Sequence, residues 1–119
     1  MPDDCIFCKI AAGDIPTDIL DRDDLVFAIR DVNPQAPVHL LVMPIEHIAS
    51  VAELGPHNAD LISRMTLMAN AAAAAEGIAQ RGYRLTINCG EEGGQSVGHL
   101  HMHLLGGSPL GAVGVRRER

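Results

Sequence analysis

From His99 onward the chain alternates without a break: His99, Leu100, His101, Met102, His103, Leu104. No other stretch constrains the fold as tightly. A period of two belongs to a β-strand, whose successive side chains leave opposite faces at about 3.3 Å per residue. The alternation predicts a strand over "HLHMHLLG", residues 99–106, with Leu100, Met102 and Leu104 turned into a core. The three histidines would then line the other face at intervals of about 6–7 Å. A single histidine on a sheet face is ordinarily a solvated residue. Three of the six in the chain, aligned on one rigid element, form a site, and imidazole there serves either chemistry or zinc.

The loop before this strand supports an anion reading. "GEEGGQS" (90–96) supplies glycines that let the backbone approach a ligand closely, and its N–H groups can cradle an oxyanion. Gln95 and Ser96 add polar side chains beside the histidine row. Upstream, "CIFCKIAAG" predicts a short helix that stops at Gly13. "ILDRDDLVFAI" reads as two strand runs, Ile19–Leu20 and Leu25–Ile29, around a polar turn. "VNPQAP" is a loop, and "VHLLVMP" a strand ended by Pro44 that places His39, Leu41 and Met43 on one face. Leu61, Met65 and Met68, widened by Ile62, mark the core stripe of a helix from about Asn58 to Gln80, with Gly82 as its stop signal. "YRLTINC" (83–89) is a further strand. The order helix, strands, long helix, strands predicts an antiparallel α+β domain spanning residues 1–119.

Composition excludes several functions. The net charge is -6, and the only basic run is the terminal "RRER". Nucleic acid, which requires an extended Lys/Arg surface, is therefore not an expected partner. A small anion held by backbone and a few side chains is compatible with this charge. The most helix-like uncharged run, "MTLMANAAAAA", has eleven residues against the roughly 20 of a membrane span. The acidic start "MPDDCIFCKI" has no long apolar stretch, which predicts a cytoplasmic protein. Three cysteines, Cys5, Cys8 and Cys89, are an odd number and argue against a disulfide framework. Cys89 reads as a small buried residue. Cys5 and Cys8 stand at a C-x-x-C spacing that fits a metal or a redox pair, although the βαβ context of the latter is missing.

With these residues in hand, a family resemblance is evident. "GGQSVGHLHMHLLGG" resembles the histidine triad signature, "DVNPQAPVHLLVMPIEH" a second block of that superfamily, and "CIFCKI" and "GDIP" its N-terminal pattern. The resemblance runs from about Cys5 to Gly107 and is closest to the histidine triad nucleotide-binding branch, whose members are purine nucleoside phosphoramidases. It implies a five-stranded antiparallel sheet with one long helix and a short N-terminal helix, and a homodimer. It also implies a substrate, a phosphoramidate of AMP or GMP, cleaved through a nucleotidyl-histidine intermediate. His101 matches the nucleophile, and His103, His39 and Ser96 its catalytic neighbours. Asp31 and Val32 match the ribose contact, Asn88 another nucleotide contact, and Gly94, Gln95 and Ser96 the phosphate loop. A structural zinc is implied on Cys5, Cys8, His47 and His99, since all four matching positions carry ligand residues.

Other members of the superfamily cleave dinucleoside polyphosphates, and a non-catalytic nucleotide-binding or interaction module is a further alternative. The "GGQS" loop with Ser96 favours the phosphoramidase side. Two departures stand out. The tail "SPLGAVGVRRER" does not map onto the family's C-terminal region, which shapes leaving-group and dimer contacts in relatives. Gly98 precedes the triad where bulkier residues occur, which would widen the mouth of the pocket.

Overall fold

Apolar runs punctuated by turn residues build the sheet. In the computed structural model, which describes residues 4–112, there are five strands: β1 (Ile19–Arg22), β2 (Val26–Arg30), β3 (Val38–Pro44), β4 (Tyr83–Thr86) and β5 (Met102–Gly106). All pair antiparallel, in the order β1-β2-β3-β5-β4. Asp23 makes the first turn: its carboxylate accepts the N–H groups of Leu25 and Val26, both at 2.8 Å, a local bond that Asp favours at turns. The terminal "RRER", 116–119, lies outside the described residues.

Register decides which residues meet. Leu41 stands opposite His103 and His39 opposite Leu105. His39, Leu41, Met43 and His103 therefore share one face, while Leu40, Val42, Met102 and Leu104 share the other. The second face is closed by helix α2 (Asp60–Ala75), whose Leu61, Met65 and Met68 are buried against Val26, Ala28, Val42, Leu100 and Met102, with Ile62 packed at the rim. The first face is only partly closed. Helix α1 (Ile6–Ala12), ended by Gly13 at φ 84°, lays Phe7, Ile10 and Ala11 on Phe27, Ile29, Leu41 and Met43. His39 and His103 stand on that face outside this cluster.

The long helix is shorter than its periodicity implies. A 3-10 turn at Pro56–Asn58 precedes it, and it ends at Ala75 rather than near Gln80. Gly77 (φ 79°), not Gly82, is the stop. Its left-handed backbone turns the chain back, and Ile78 N–H donates to Ala73 O at 3.0 Å, closing the helix end. Ile78 can then drop onto Leu40 and Leu104.

The final strand begins at Met102, not His99. Pairing with β3 stops at Val42–Met102. Continuing it would set Leu100 against Pro44, which has no N–H to give. The chain bends instead: His99 N–H donates to Val97 O at 2.8 Å, and Leu100 N–H to Ile48 O at 2.6 Å. The division of faces persists through the bend, with Leu100 1% exposed in the α2 core. β4 likewise ends at Thr86, opposite His103, so Asn88 and Cys89 lie in the following loop. Cys89 is exposed, contrary to the expectation of a buried residue. Among the described residues, no helix is long and apolar enough to cross a membrane.

Candidate active site

The bend gives each triad histidine a separate environment. His101 is 4% exposed, and its Nδ1 lies 2.8 Å from the carbonyl of His99. A carbonyl only accepts, so Nδ1 carries the proton and Nε2 keeps its lone pair, a tautomer assigned from the partner. Phe7 stands edge-on to the ring at 5.3 Å. For His103 the assignment reverses. Gln35 N–H donates to His39 Nδ1 at 3.0 Å, so the proton of neutral His39 sits on Nε2. That nitrogen is 2.9 Å from His103 Nδ1, which must accept. His103 therefore keeps its proton on Nε2. Burial, helped by the neighbouring His101 and His39, lowers the pKa of His103 to about 4, so the ring is a neutral donor at pH 7. The two adjacent rings, 5.0 Å apart, offer one lone pair and one N–H.

A cavity of about 440 Å³ opens beside them, lined by His101, His103, Ser96, Asp31 and Val32, and a carboxylate oxygen of Asp31 lies within 4.8 Å of a His103 ring nitrogen. Ile10, Ile15, Ile29 and Leu41 make its walls largely apolar. The Asp31 carboxylate is oriented by Asn33 N–H at 2.8 Å and lies 3.3 Å from His39 Nε2. Val32 is 89% exposed, so a ligand could cover it. A second cavity of about 390 Å³ shares His103 and Ser96 with the first, and its lining mixes His39, Asn88 and Gly94 with the apolar Leu105 and Leu110. The predicted positions thus converge on one region, with Gln95 the exception.

Gln95 braces the loop instead. Its side-chain amide donates to Ala49 O and Val97 O and accepts from Gly90 N–H, while its backbone N–H donates to Gly90 O. Gly94 N–H is engaged by Glu91 O. What the loop can offer an anion is concentrated at Ser96. Gly93 is required for close approach: a Cβ there would meet Cys89 O at 2.3 Å. Gly98 has open space around it, but it lines a cavity beside Cys5 and His47 rather than the one at His101 and His103.

On the far side of Phe7, one ligand atom each from Cys5, Cys8, His47 and His99 lies within 4.8 Å of the others. The His99 ring has its Nε2 2.9 Å from Pro44 O, so Nδ1 is bare and faces Cys5 Sγ at 3.3 Å and Cys8 Sγ at 3.6 Å. His47 Nδ1 is 3.4 Å from Cys8 Sγ. Burial and the Cys5 thiol push the Cys8 pKa up to about 11, so a proton leaves that sulfur only if a cation replaces it. Two sulfurs and two imidazoles at this spacing could hold a metal. A second cluster, Asp31, His39 and His103, fits a metal poorly. Ligation at His39 Nε2 would move its proton to Nδ1, against the Gln35 N–H.

Sequence reasoning missed Phe7, which stands edge-on to both His99 (5.7 Å) and His101. Its signal was its place between the two cysteines, as one of only two phenylalanines. It also missed Gln35, whose role is played by the backbone and leaves no side-chain signature.

Comparison with known proteins fits this geometry. The HIT domain description matches residues 12–110, and the chain belongs to the histidine triad family. A curated relative, the purine nucleoside phosphoramidase of Escherichia coli, is 48% identical over 113 residues, covering 95% of each chain. Among solved structures, a HIT family hydrolase from Clostridium thermocellum superposes with a TM-score of 0.93 at 46% identity, covering 97% of this chain and 100% of that one. A histidine triad protein from Clostridium difficile gives a TM-score of 0.90 at 43% identity, with 94% and 97% covered.

Proposed function

We propose that this chain hydrolyses purine nucleoside 5'-phosphoramidates, releasing AMP or GMP and an amine. One observation carries the reading: the His99 carbonyl holds His101 Nδ1–H at 2.8 Å, so the Nε2 lone pair is available beside a cavity that the Asp31 carboxylate also lines. The printed activity of the Escherichia coli relative supplies the substrate class. In this reading the base lies on the apolar wall, the ribose hydroxyls donate to Asp31 beside Val32, and the phosphate reaches Ser96 with Asn88 and Gly94 behind it.

Two displacements at phosphorus follow. His101 Nε2 attacks, an Nε2–P bond forms and the P–N bond to the amine breaks. The leaving nitrogen takes up a proton delivered from solvent past the Ser96 hydroxyl. Water then attacks the nucleotidyl-histidine; a P–O bond forms, Nε2–P breaks and the water's surplus proton passes to solvent. Nδ1–H stays on the His99 carbonyl throughout, which steadies the positive ring of the intermediate. His103 Nε2–H donates to the phosphoryl oxygens as their charge grows. His39 acts through His103 and is a positioning residue.

The same proposal places a structural zinc on Cys5, Cys8, His47 and His99. When bound, the ion supplies a cross-link between α1 and the bend before β5, and no reaction step. Because the carbonyl of His99 orients His101, the cross-link would also fix the nucleophile. The chain would act as one domain in the reducing cytoplasm, and as a homodimer joined along β4, a short edge strand paired only with β5 among the described residues. Release of AMP from adenosine 5'-phosphoramidate by the wild type and by His101→Ala tests the assignment. The variant is expected to lose more than about 10³-fold in kcat while still binding AMP. A wild type without turnover defeats the proposal and leaves dinucleotide substrates or a binding role.

A further inference from the structure

Gln95 stands between two residues that line the site and does not line it itself. Ser96 borders both cavities and Gly94 the second, whereas Gln95 borders neither. Its side-chain amide is engaged elsewhere. Nε2 donates to Ala49 O at 2.7 Å and to Val97 O at 2.9 Å, and Oε1 accepts Gly90 N–H at 2.9 Å. These partners fix which end of the amide is which. A flipped amide would set its oxygen against two carbonyls and its NH2 against an N–H. Both N–H bonds of the amide are used, so neither is left for a phosphate.

The three tethers lead to three parts of the site. Gly90 opens the loop that ends at Ser96. Ala49 belongs to the segment after Pro44, where the sheet ladder has stopped. There Leu100 N–H reaches Ile48 O at 2.6 Å, and the Gln95 amide takes the adjacent carbonyl of Ala49. A side chain thus replaces the next rung of the ladder. Val97 O also accepts His99 N–H at 2.8 Å, and its two lone pairs allow both bonds at once. That second bond bends the chain before β5 and accompanies the approach of His99 O to 2.8 Å from His101 Nδ1.

We infer that Gln95 is a positioning residue for the reaction: its amide ties the phosphate loop and the bend behind the nucleophile to one segment, so that Ser96 and His101 keep a fixed relation. This rests on the phosphoramidase reading. Gln95 acts through the backbone of Val97 and His99 and through Ser96, and it does not touch the nucleotide. Such support matters because displacing a reacting group by about 1 Å can cost about 10²-fold in rate.

The test uses Gln95→Met, which keeps the length of the side chain and removes all three bonds. On adenosine 5'-phosphoramidate its kcat should fall about tenfold or more, while its Kd for AMP stays within about threefold of wild type, because the nucleoside cavity is untouched. AMP titration also counts folded sites, so kcat is referred to folded enzyme. Proton NMR reads the His101 Nδ1–H, which should exchange with water about tenfold faster or more once the bend is released. Gln95→Glu keeps the acceptor for Gly90 but faces two carbonyls without an N–H, and should do no better than Gln95→Met. In the wild type, both Gln95 side-chain amide protons should exchange slowly whether or not AMP is present. A Gln95→Met kcat within twofold of wild type overturns the inference. So does weakened AMP binding with unchanged exchange at His101, which would make Gln95 a nucleotide ligand. The exchange measurements need no turnover. A wild type inactive on adenosine 5'-phosphoramidate would therefore bring down the phosphoramidase reading, while an unchanged His101 exchange rate in Gln95→Met would bring down this inference.

Discussion

Replacing His39 by Phe keeps an aromatic ring in a site that is 4% exposed and removes both nitrogens from the hydrogen-bond chain. Gln35 N–H then loses its acceptor and His103 Nδ1 its donor, at present 3.0 and 2.9 Å away. Gln35 is exposed and its N–H can turn to water, but leaving the part-buried His103 nitrogen without a partner costs about 1–3 kcal/mol, so a fall in stability is expected. The effect on rate follows from His103, which is no longer held in the Nε2–H tautomer or in one orientation. Removing an oxyanion donor outright costs about 10²–10³ in kcat. Here the donor is retained but loosened, so a loss of about 10–30-fold in kcat is expected, roughly 1.4–2 kcal/mol. His39→Gln, whose amide can still donate to His103, should recover most of it. Steady-state kinetics on adenosine 5'-phosphoramidate measures the loss, and ¹⁵N NMR of the histidine rings reads the His103 tautomer directly. A His39→Phe protein within twofold of wild-type kcat, with His103 still protonated on Nε2, would refute the reasoning.

Three other perturbations test separate parts of the site. His103 titrates at about 4 when folded and near 6.5 when unfolded. The unfolded chain therefore binds more protons between these values, and stability falls as pH drops through that window. After allowance for partial exposure, urea unfolding at pH 7.5 and 4.5 should show a wild-type loss about 1–2 kcal/mol larger than that of His103→Gln. His99, lowered by burial as well, contributes to both proteins and cancels. Cys8→Ser should abolish an otherwise near-stoichiometric zinc content in metal analysis and lower Tm by several degrees; protein purified with far less than one zinc per chain and indifferent to chelator would contradict the metal assignment. Gly93→Ala forces Cys89 O to move from 2.3 Å, so the loop must rearrange. Loss of about tenfold or more in kcat/KM is expected, with little change in Tm because that loop is exposed, and an unaltered kcat/KM would dissociate the loop from phosphate binding.

Much of this arrangement was legible because the controlling rules are local. The two-residue period placed Leu100, Met102 and Leu104 in the core, and the 3.6-residue period did the same for Leu61, Met65 and Met68. Gly13 closed its helix as expected. Long-range contacts were not legible. Ending α2 at Ala75 depends on Ile78 finding Leu40 and Leu104 across the core. The Gln35 contact is made by backbone, which every residue has.

The misjudged start of β5 is where the proposed chemistry resides. In a regular strand a side chain and the carbonyl two residues earlier are separated along the strand by about 6–7 Å, and His101 could not be held by His99 O. Pro44 interrupts the ladder, residues 97–99 bend, and the His99 carbonyl comes to 2.8 Å from His101 Nδ1. The same bend sends the His99 ring to Pro44 O and the cysteines. Alternation is still required, because a shift of one residue would turn every ring to the α2 side. The histidine spacing therefore does two things that a periodic pattern cannot separate: it chooses the face, and it lets one residue's backbone orient the next histidine's ring while its own side chain joins the cluster of Cys5, Cys8 and His47.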